Sequence, residues 1–163
     1  MKINLTINEQ EFSLNENPDE KLLGILRKQN FLSAKCGCEN SSCGACAVLL
    51  DGKCVLSCAI PIGILNGAKI VTLEFFSKQT QYQEITAGFE KAGVSLCGYC
   101  NAGKIFAAYE IIITFSNPTR EQIFERIRSL KDCCVEYDTL INGIIYASQI
   151  HFEKENQRKN GNK

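Results

Sequence analysis

The sequence predicts an α+β protein whose two halves differ in secondary structure. In the first 76 residues, short runs of alternating polar and apolar residues predict strands around one helix. Beyond residue 80, longer apolar patterns with short connections predict four helices. We therefore expect a strand-rich N-terminal domain, residues 1–76, followed by a four-helix bundle domain, residues 80–152.

The predicted N-terminal domain starts with a hairpin. Ile3, Leu5 and Ile7 alternate with polar residues, and a second short run carries Phe12 and Leu14. Alternation with a period of two is the pattern of a half-buried strand. The two runs are therefore expected to pair with each other.

A helix is predicted to begin at Asn17-Pro18-Asp19-Glu20. Asparagine is a good capping residue, proline suits the first helical position, and acidic residues favour the first turn. An apolar face follows in residues 22–26. This helix is expected to pack on the sheet.

Three more strands are predicted after the cysteine-rich loop. Residues 47–50 and 53–56 flank Asp51-Gly52, a strong signal for a two-residue hairpin turn. Residues 69–75 are expected to form the last strand of the domain.

The second half is predicted to be helical. Gly93 and the segment around Pro118 interrupt the apolar patterns, so helices are expected to end there. Residues 153–163 are polar and are expected to be disordered. The four predicted helices cover residues 80–91, 103–115, 120–130 and 137–150.

Composition excludes several classes of protein. Eighteen basic and 18 acidic residues give a formal net charge of zero, so no basic surface indicates binding to nucleic acid. No apolar run is long enough for a secretory signal or a membrane span. A soluble protein of the cytosol is expected.

Ten cysteines in such a chain indicate metal binding or redox chemistry, because disulfides are rare in a reducing compartment. The single histidine, His151, lies close to the polar tail and is expected at the surface. Its isolation argues against a zinc site of mixed cysteine and histidine ligands.

Cys38, Cys43, Cys46 and Cys58 have the spacing of a plant-type 2Fe-2S cluster, C-x4-C-x2-C followed by a distant cysteine. The small residues among them, including Gly37, Gly44 and Ala45, let the backbone amides approach the sulfurs. A zinc site fits poorly, since it prefers paired C-x2-C knuckles. Cys36 and Cys54 fall outside the spacing and are expected to be small buried hydrophobic residues.

The segment KCGCENSSCGACAVLLDGKCVLSC resembles the small iron–sulfur subunit of the xanthine dehydrogenase (molybdenum hydroxylase) family, and the resemblance covers almost the whole chain. It implies an N-terminal β-grasp domain like that of plant-type ferredoxins and a helical domain with a second 2Fe-2S cluster. It also implies a molybdopterin-binding large subunit and an FAD-binding subunit as partners. Molybdopterin and FAD would be bound by those partners only.

The segment SLCGYCNAGKIF resembles the family's second motif, Q-C-G-x-C-T-P-G. Cys97 and Cys100 match its cysteines, and Gly98 and Tyr99 between them are expected to surround the cluster. Leu96 replaces the glutamine that faces molybdopterin in the family, and Asn101-Ala102 replaces Thr-Pro. These changes put the usual contact with the partner's cofactor in doubt.

The family completes its second cluster with C-R-C-T-G-Y, and this chain departs from that motif. Aligned on Tyr137, it has Cys134 at the second cysteine, Cys133 at the arginine and Asp132 at the first cysteine. Cys133 could replace the missing thiolate through an irregular turn, Asp132 could ligate through oxygen, or the second cluster could be labile or lost. A thiolate suits iron–sulfur chemistry better than an oxygen donor, which favours Cys133.

The resemblance implies an electron-transfer subunit that carries electrons from molybdenum to flavin or another acceptor through two 2Fe-2S clusters. No catalytic residue and no substrate chemistry are expected on this chain. The alternative is a stand-alone ferredoxin or redox-sensing module in which the second cluster is modified or lost.

Overall fold

The structure, a computed structural model, describes residues 1–38 and 40–161. It confirms the predicted α+β fold, with a strand-rich first half and a helical second half. The strands are β1 Lys2–Ile7, β2 Gln10–Asn15, β3 Ala47–Leu50, β4 Lys53–Leu56 and β5 Lys69–Val71. The helices are α1 Leu22–Lys28, α2 Leu73–Phe76, α3 Thr80–Ala92, α4 Asn101–Thr114, α5 Arg120–Ile127 and α6 Tyr137–Gly161.

The five strands form one mixed sheet in the order β2-β1-β5-β3-β4. β1 and β5 are parallel, and the other neighbouring strands are antiparallel. The odd-numbered apolar residues of β1 are buried, as the alternating pattern predicts. Helix α1 covers this face of the sheet and buries Leu22, Ile25 and Leu26 completely.

Strand β3 is buried on both faces and connects two apolar cores. Val48 belongs to the core between the sheet and α1, whereas Ala47 and Leu49 belong to the core of helices α3 to α6. Oε1 of Glu110 in α4 accepts a hydrogen bond from the backbone amide of Cys54 at 2.7 Å, and its Oε2 lies 3.6 Å from Nη1 of Arg126. The loop before β3 therefore lies where the sheet meets the helices.

Helix α1 begins later than predicted. Asn17 accepts a hydrogen bond from the amide of Asp19, but the chain stays non-helical until Leu22. The carbonyls of Pro18 and Glu20 accept hydrogen bonds from the backbone of residues 62–63, and Lys21 pairs with Pro61. These long-range contacts hold the predicted capping segment in an extended turn.

The last strand is shorter than predicted, because β5 ends at Val71 and residues 73–76 form the short helix α2. The side chain of Asn8 exchanges two hydrogen bonds with Thr72, each 2.9 Å long. These bonds occupy the backbone amide of Thr72. The chain then turns and buries Phe76 in the helical core.

The predicted helices are present, with shifted ends. Gly93 ends α3 in the left-handed conformation, at φ 72°. Helix α4 begins two residues before the predicted start, and α5 ends at Ile127. The prediction of a disordered tail is wrong for residues 153–161, which extend α6; Asn162 and Lys163 lie outside the described residues.

The extension of α6 has a physical reason in its charged residues. Arg158 lies 3.6 Å from Glu155 one turn before it, and such pairs support an exposed helix. The prediction that His151 lies at the surface is wrong. Its side chain is only 15% exposed, and its Nδ1 lies 2.6 Å from Oε2 of the buried Glu84 of α3. Among the helices of the described residues, none is long and apolar enough to cross a membrane.

Candidate metal centres

The first cysteine group lies at the edge of the sheet. Cys38, Cys43 and Cys46 lie in or next to the loop that leads into β3, and Cys58 lies in the turn after β4. The backbone amide and the hydroxyl of Ser57 both donate to the carbonyl of Cys46, at 3.3 and 2.7 Å. These bonds hold the turn that contains Cys58 next to Cys46. Cys58 comes from a separate segment, so it could join the same metal site only if such contacts keep it close.

Backbone amides point at the sulfurs of this group. Those of Ser42 and Cys43 donate to Cys38 Sγ at 3.3 and 3.4 Å, and that of Ala45 donates to Cys43 Sγ at 3.4 Å. The amides of Ser42 and Cys43 lower the pKa of Cys38 to about 6. Since the thiolate is the metal-binding form, the loop favours ligation at Cys38.

At two other cysteines of the group, burial raises the thiol pKa instead of lowering it. It raises the pKa of Cys46 to about 11, against the hydrogen bond from the backbone of Cys58. Burial also raises the pKa of Cys43. A bound metal would stabilise these thiolates, because coordination supplies the positive charge that the protein interior lacks.

The backbone leaves little room beside the sulfurs. A Cβ on Gly37 would lie 2.8 Å from Cys43 Sγ and 3.0 Å from the ring of Tyr99. Gly44 has φ 75°, a conformation that glycine adopts without strain. Four thiols, inward amides and glycines that allow close approach fit a 2Fe-2S cluster.

The second cysteine group joins two loops of the helical half. Cys97 and Cys100 lie in the loop before α4, and Cys134 lies between α5 and α6. The three sulfurs lie within 4.8 Å of one another, and those of Cys97 and Cys100 are 3.7 Å apart. Within the part of the chain that the structure describes, this is the one group of three or more such ligand atoms that all lie so close to one another.

Cys133 is close to this group, whereas Asp132 is not part of it. Cys133 Sγ lies 3.1 Å from Cys100 Sγ. Residues 131–136 are neither helix nor strand, so the irregular turn needed for adjacent ligands is present. The side chain of Asp132 is exposed to solvent.

The thiols of the second group also differ in acidity. Amides of Cys100 and Tyr99 lower the pKa of Cys97 to about 6, and the hydrogen bond with Cys100 lowers that of Cys133. Burial raises the pKa of Cys100 to about 12, and Lys104 opposes this rise. Four thiols with backbone donors also fit a 2Fe-2S cluster.

The loops that carry the two groups touch each other. A Cβ on Gly103 would lie 3.0 Å from the Cα of Gly44. The hydroxyl of Tyr99 donates to the carbonyl of Cys36 at 2.9 Å, and the ammonium of Lys35 donates to the carbonyl of Gly98, which has φ 71°. The predicted residues Gly98 and Tyr99 therefore connect the loops.

The two cysteines outside both groups differ in how far they are buried. Cys36 is exposed, so the prediction that it is buried is wrong. Cys54 is partly buried against the helical core, and burial raises the pKa of its thiol to about 12.

Sequence reasoning missed Lys104, which is 1% exposed and donates to Cys100 Sγ at 3.4 Å. A lysine four residues after a cysteine, in the first turn of a mostly apolar helix, was the signal that could have found it. Nearby, Leu96 packs partly against the helical core and Ala102 is buried.

Comparison with known proteins finds two family models that match successive parts of the chain. Residues 5–63 match the model of the 2Fe-2S iron-sulfur cluster binding domain, and residues 72–145 match the model of the [2Fe-2S] binding domain. The two distinct domains match two 2Fe-2S clusters.

The relatives are named as iron–sulfur subunits of dehydrogenases or as a longer oxidoreductase. The nicotinate dehydrogenase small FeS subunit of Eubacterium barkeri is 31% identical, over 89% of this chain and 93% of the relative. The xanthine dehydrogenase iron-sulfur-binding subunit of Escherichia coli O157:H7 is 38% identical, over 64% and 66%. The aldehyde oxidoreductase of Megalodesulfovibrio gigas is 29% identical over 90% of this chain, which spans only 16% of that protein.

The fold has a close counterpart among solved structures. A chain of quinoline 2-oxidoreductase from Pseudomonas putida 86 superposes with a TM-score of 0.81 and 27% identity, covering 95% of this chain and 98% of that one. The chain belongs to the small iron–sulfur subunits of the xanthine dehydrogenase (molybdenum hydroxylase) family.

Proposed function

We propose that this chain transfers electrons from a molybdopterin centre on a large partner subunit to flavin or another acceptor. In this proposal Cys38, Cys43, Cys46 and Cys58 hold one 2Fe-2S cluster, and Cys97, Cys100, Cys133 and Cys134 hold the other. Such clusters, when bound, supply one-electron storage. The chain itself holds them close together and surrounds their sulfurs with donors.

The contact between Gly44 and Gly103 is the observation that carries the proposal. Each glycine lies within three residues of proposed ligands, Cys43 and Cys46 on one side and Cys100 on the other. Close backbone approach keeps the two sites adjacent, as electron transfer between them needs. The connections from Tyr99 and Lys35 support the same arrangement.

For the second cluster we propose Cys133 as the fourth ligand. Its sulfur adjoins that of Cys100, and a thiolate suits iron–sulfur chemistry. Asp132 is the less suitable donor, because it offers oxygen and does not belong to the group of clustered ligand atoms. We further propose a cytosolic location, an FAD-binding partner and a division into domains of residues 1–76 and 80–152. The core between the sheet and α1 lies wholly within the first of these domains, whereas the helical core also takes in Ala47, Leu49, Leu73 and Phe76 from it.

A second candidate function is a stand-alone redox module. Leu96 packs against this chain's own helical core at the position where the family motif has the glutamine that faces the partner's molybdopterin. Purification from the native cell separates the two functions, because the subunit should elute with a molybdenum-containing chain. The stand-alone module should elute alone.

The direct test is to purify the chain without oxygen, measure iron and labile sulfide, and record EPR spectra during stepwise reduction. The proposal predicts about four irons per chain and two distinct signals, since each cluster holds two irons. About two irons and one signal would contradict it and favour the stand-alone module.

A further inference from the structure

Lys104 is the most unusual charged residue of the helical half. It lies in the first turn of α4, is 1% exposed, and ranks among the largest fully buried side chains. Its Nζ donates to Cys100 Sγ at 3.4 Å. Across residues 1–38 and 40–161, no carboxylate lies within 4.0 Å of this ammonium, and Cys100 is its one side-chain hydrogen-bond partner.

A buried ammonium needs nearby negative charge. Removing such a group from water without a partner costs several kcal/mol. Lysines near a surface usually extend the charged end to solvent, but the exposure of Lys104 shows that it does not. The four cysteines beside it would supply that negative charge as thiolates when they hold a cluster, and this would make the burial of Lys104 tolerable.

We propose that Lys104 is a positioning residue that acts through Cys100 to raise the reduction potential of the second cluster. This inference rests on the proposed function, because it requires a cluster on Cys97, Cys100, Cys133 and Cys134. Reduction adds one electron and one negative charge to that site. A positive charge fixed beside the sulfur stabilises the reduced form more than the oxidised form, and Lys104 Nζ lies 3.4 Å from Cys100 Sγ.

Among the described residues, the sulfurs of the first cysteine group have no charged hydrogen-bond partner. They receive hydrogen bonds from the amides of Ser42, Cys43 and Ala45 and contact the hydroxyl of Ser41, all of them neutral. Changing Lys104 should therefore affect the second cluster and leave the first unchanged. The first cluster is an internal reference in the same molecule.

The experiment is an EPR-monitored redox titration of the purified full chain, with dithionite as the electron donor. Lys104→Met and Lys104→Gln remove the charge, Lys104→Arg keeps it, and Ile105→Met places the same methionine at the neighbouring buried position. The two neutral variants should lower the ratio of reduced to oxidised second cluster at least tenfold at a fixed potential. For a one-electron couple this is a downward shift of about 59 mV or more.

The charge-keeping and control variants should leave the potential of the second cluster close to that of the unchanged chain. An unchanged potential in Lys104→Gln and Lys104→Met would overturn the inference, as would an equal shift of the first cluster. Loss of the second cluster from both neutral variants, with retention in Lys104→Arg, would also overturn it, since the charge would then serve assembly. Absence of the second signal from the unchanged chain would contradict the proposed function instead.

Discussion

The two cysteine groups differ in how the chain supplies positive potential to sulfur. In the first group, neighbouring backbone amides donate to Cys38 and Cys43. In the second, backbone donors at Cys97 are joined by Lys104, a buried side chain that meets Cys100. The first environment is built within one loop, whereas the second depends on how helix α4 packs.

This difference explains which group can depart from its family motif. Spacing within one loop determines where the amides of the first group lie, so the cysteines must keep that spacing. In the second group, two of the four cysteines lie before α4 and the other two lie between α5 and α6. A one-residue shift of a ligand, from position 132 to Cys133, can be absorbed by the irregular segment 131–136.

Removing a proposed ligand of the first group should have the largest effect. Cys43→Ala should lower the iron content from about four to about two per chain, because each 2Fe-2S cluster needs four protein ligands. The signal of the second cluster should persist, as measured by EPR. Cys36→Ala, which removes an exposed thiol outside both groups, is the control and should keep all the iron. Loss of both clusters in Cys43→Ala would mean that the two groups do not assemble independently.

A side chain at the contact between the loops should have an intermediate effect. A branched residue in Gly103→Val would meet the backbone of Gly44 and the side chain of Leu130. Overpacking of this kind costs about 1–3 kcal/mol, which thermal unfolding of the purified chain would measure as a lower Tm. Gly161→Val is the matched control, since a Cβ there meets nothing within 4 Å. Equal stability of the two variants would show that the loops do not touch as described.

The smallest effect is expected from removing the hydroxyl of Tyr99, because this residue is 52% exposed. Tyr99→Phe removes its hydrogen bond to the carbonyl of Cys36 and should cost about 0.5–1 kcal/mol in the free energy of unfolding, measured with urea. Tyr146→Phe is the control, because no hydrogen bond of that hydroxyl is found among the described residues. A larger loss in the control would remove Tyr99 as a connection between the loops.

Local sequence patterns were enough to predict the fold. The predictions that were wrong concern residues whose structure depends on long-range contacts. The alternation in β1 and the end of α3 at Gly93 were predictable from the sequence, because each depends on a few adjacent residues. The start of α1 was wrong because residues 61–63 hold the capping segment extended. His151 was placed at the surface because its partner, Glu84, is 67 residues away in the chain.

The candidate sites follow the same division. The first cysteine group was predictable from spacing that lies mostly in one loop. For the second group, the sequence favoured Cys133 but left ligation by Asp132 and loss of the cluster open, because the geometry of an irregular turn has no simple pattern. The role of Lys104 was not predicted, since only packing shows that its ammonium lies against Cys100.

The proposed fourth ligand of the second cluster is a shifted thiolate, that of Cys133. The most direct measurement compares iron content and EPR spectra of Cys133→Ala and Asp132→Ala, both purified without oxygen. We expect Cys133→Ala to keep about two irons and only the first signal, and Asp132→Ala to keep about four irons and both signals. Loss of the second signal in Asp132→Ala, with its retention in Cys133→Ala, would contradict the account.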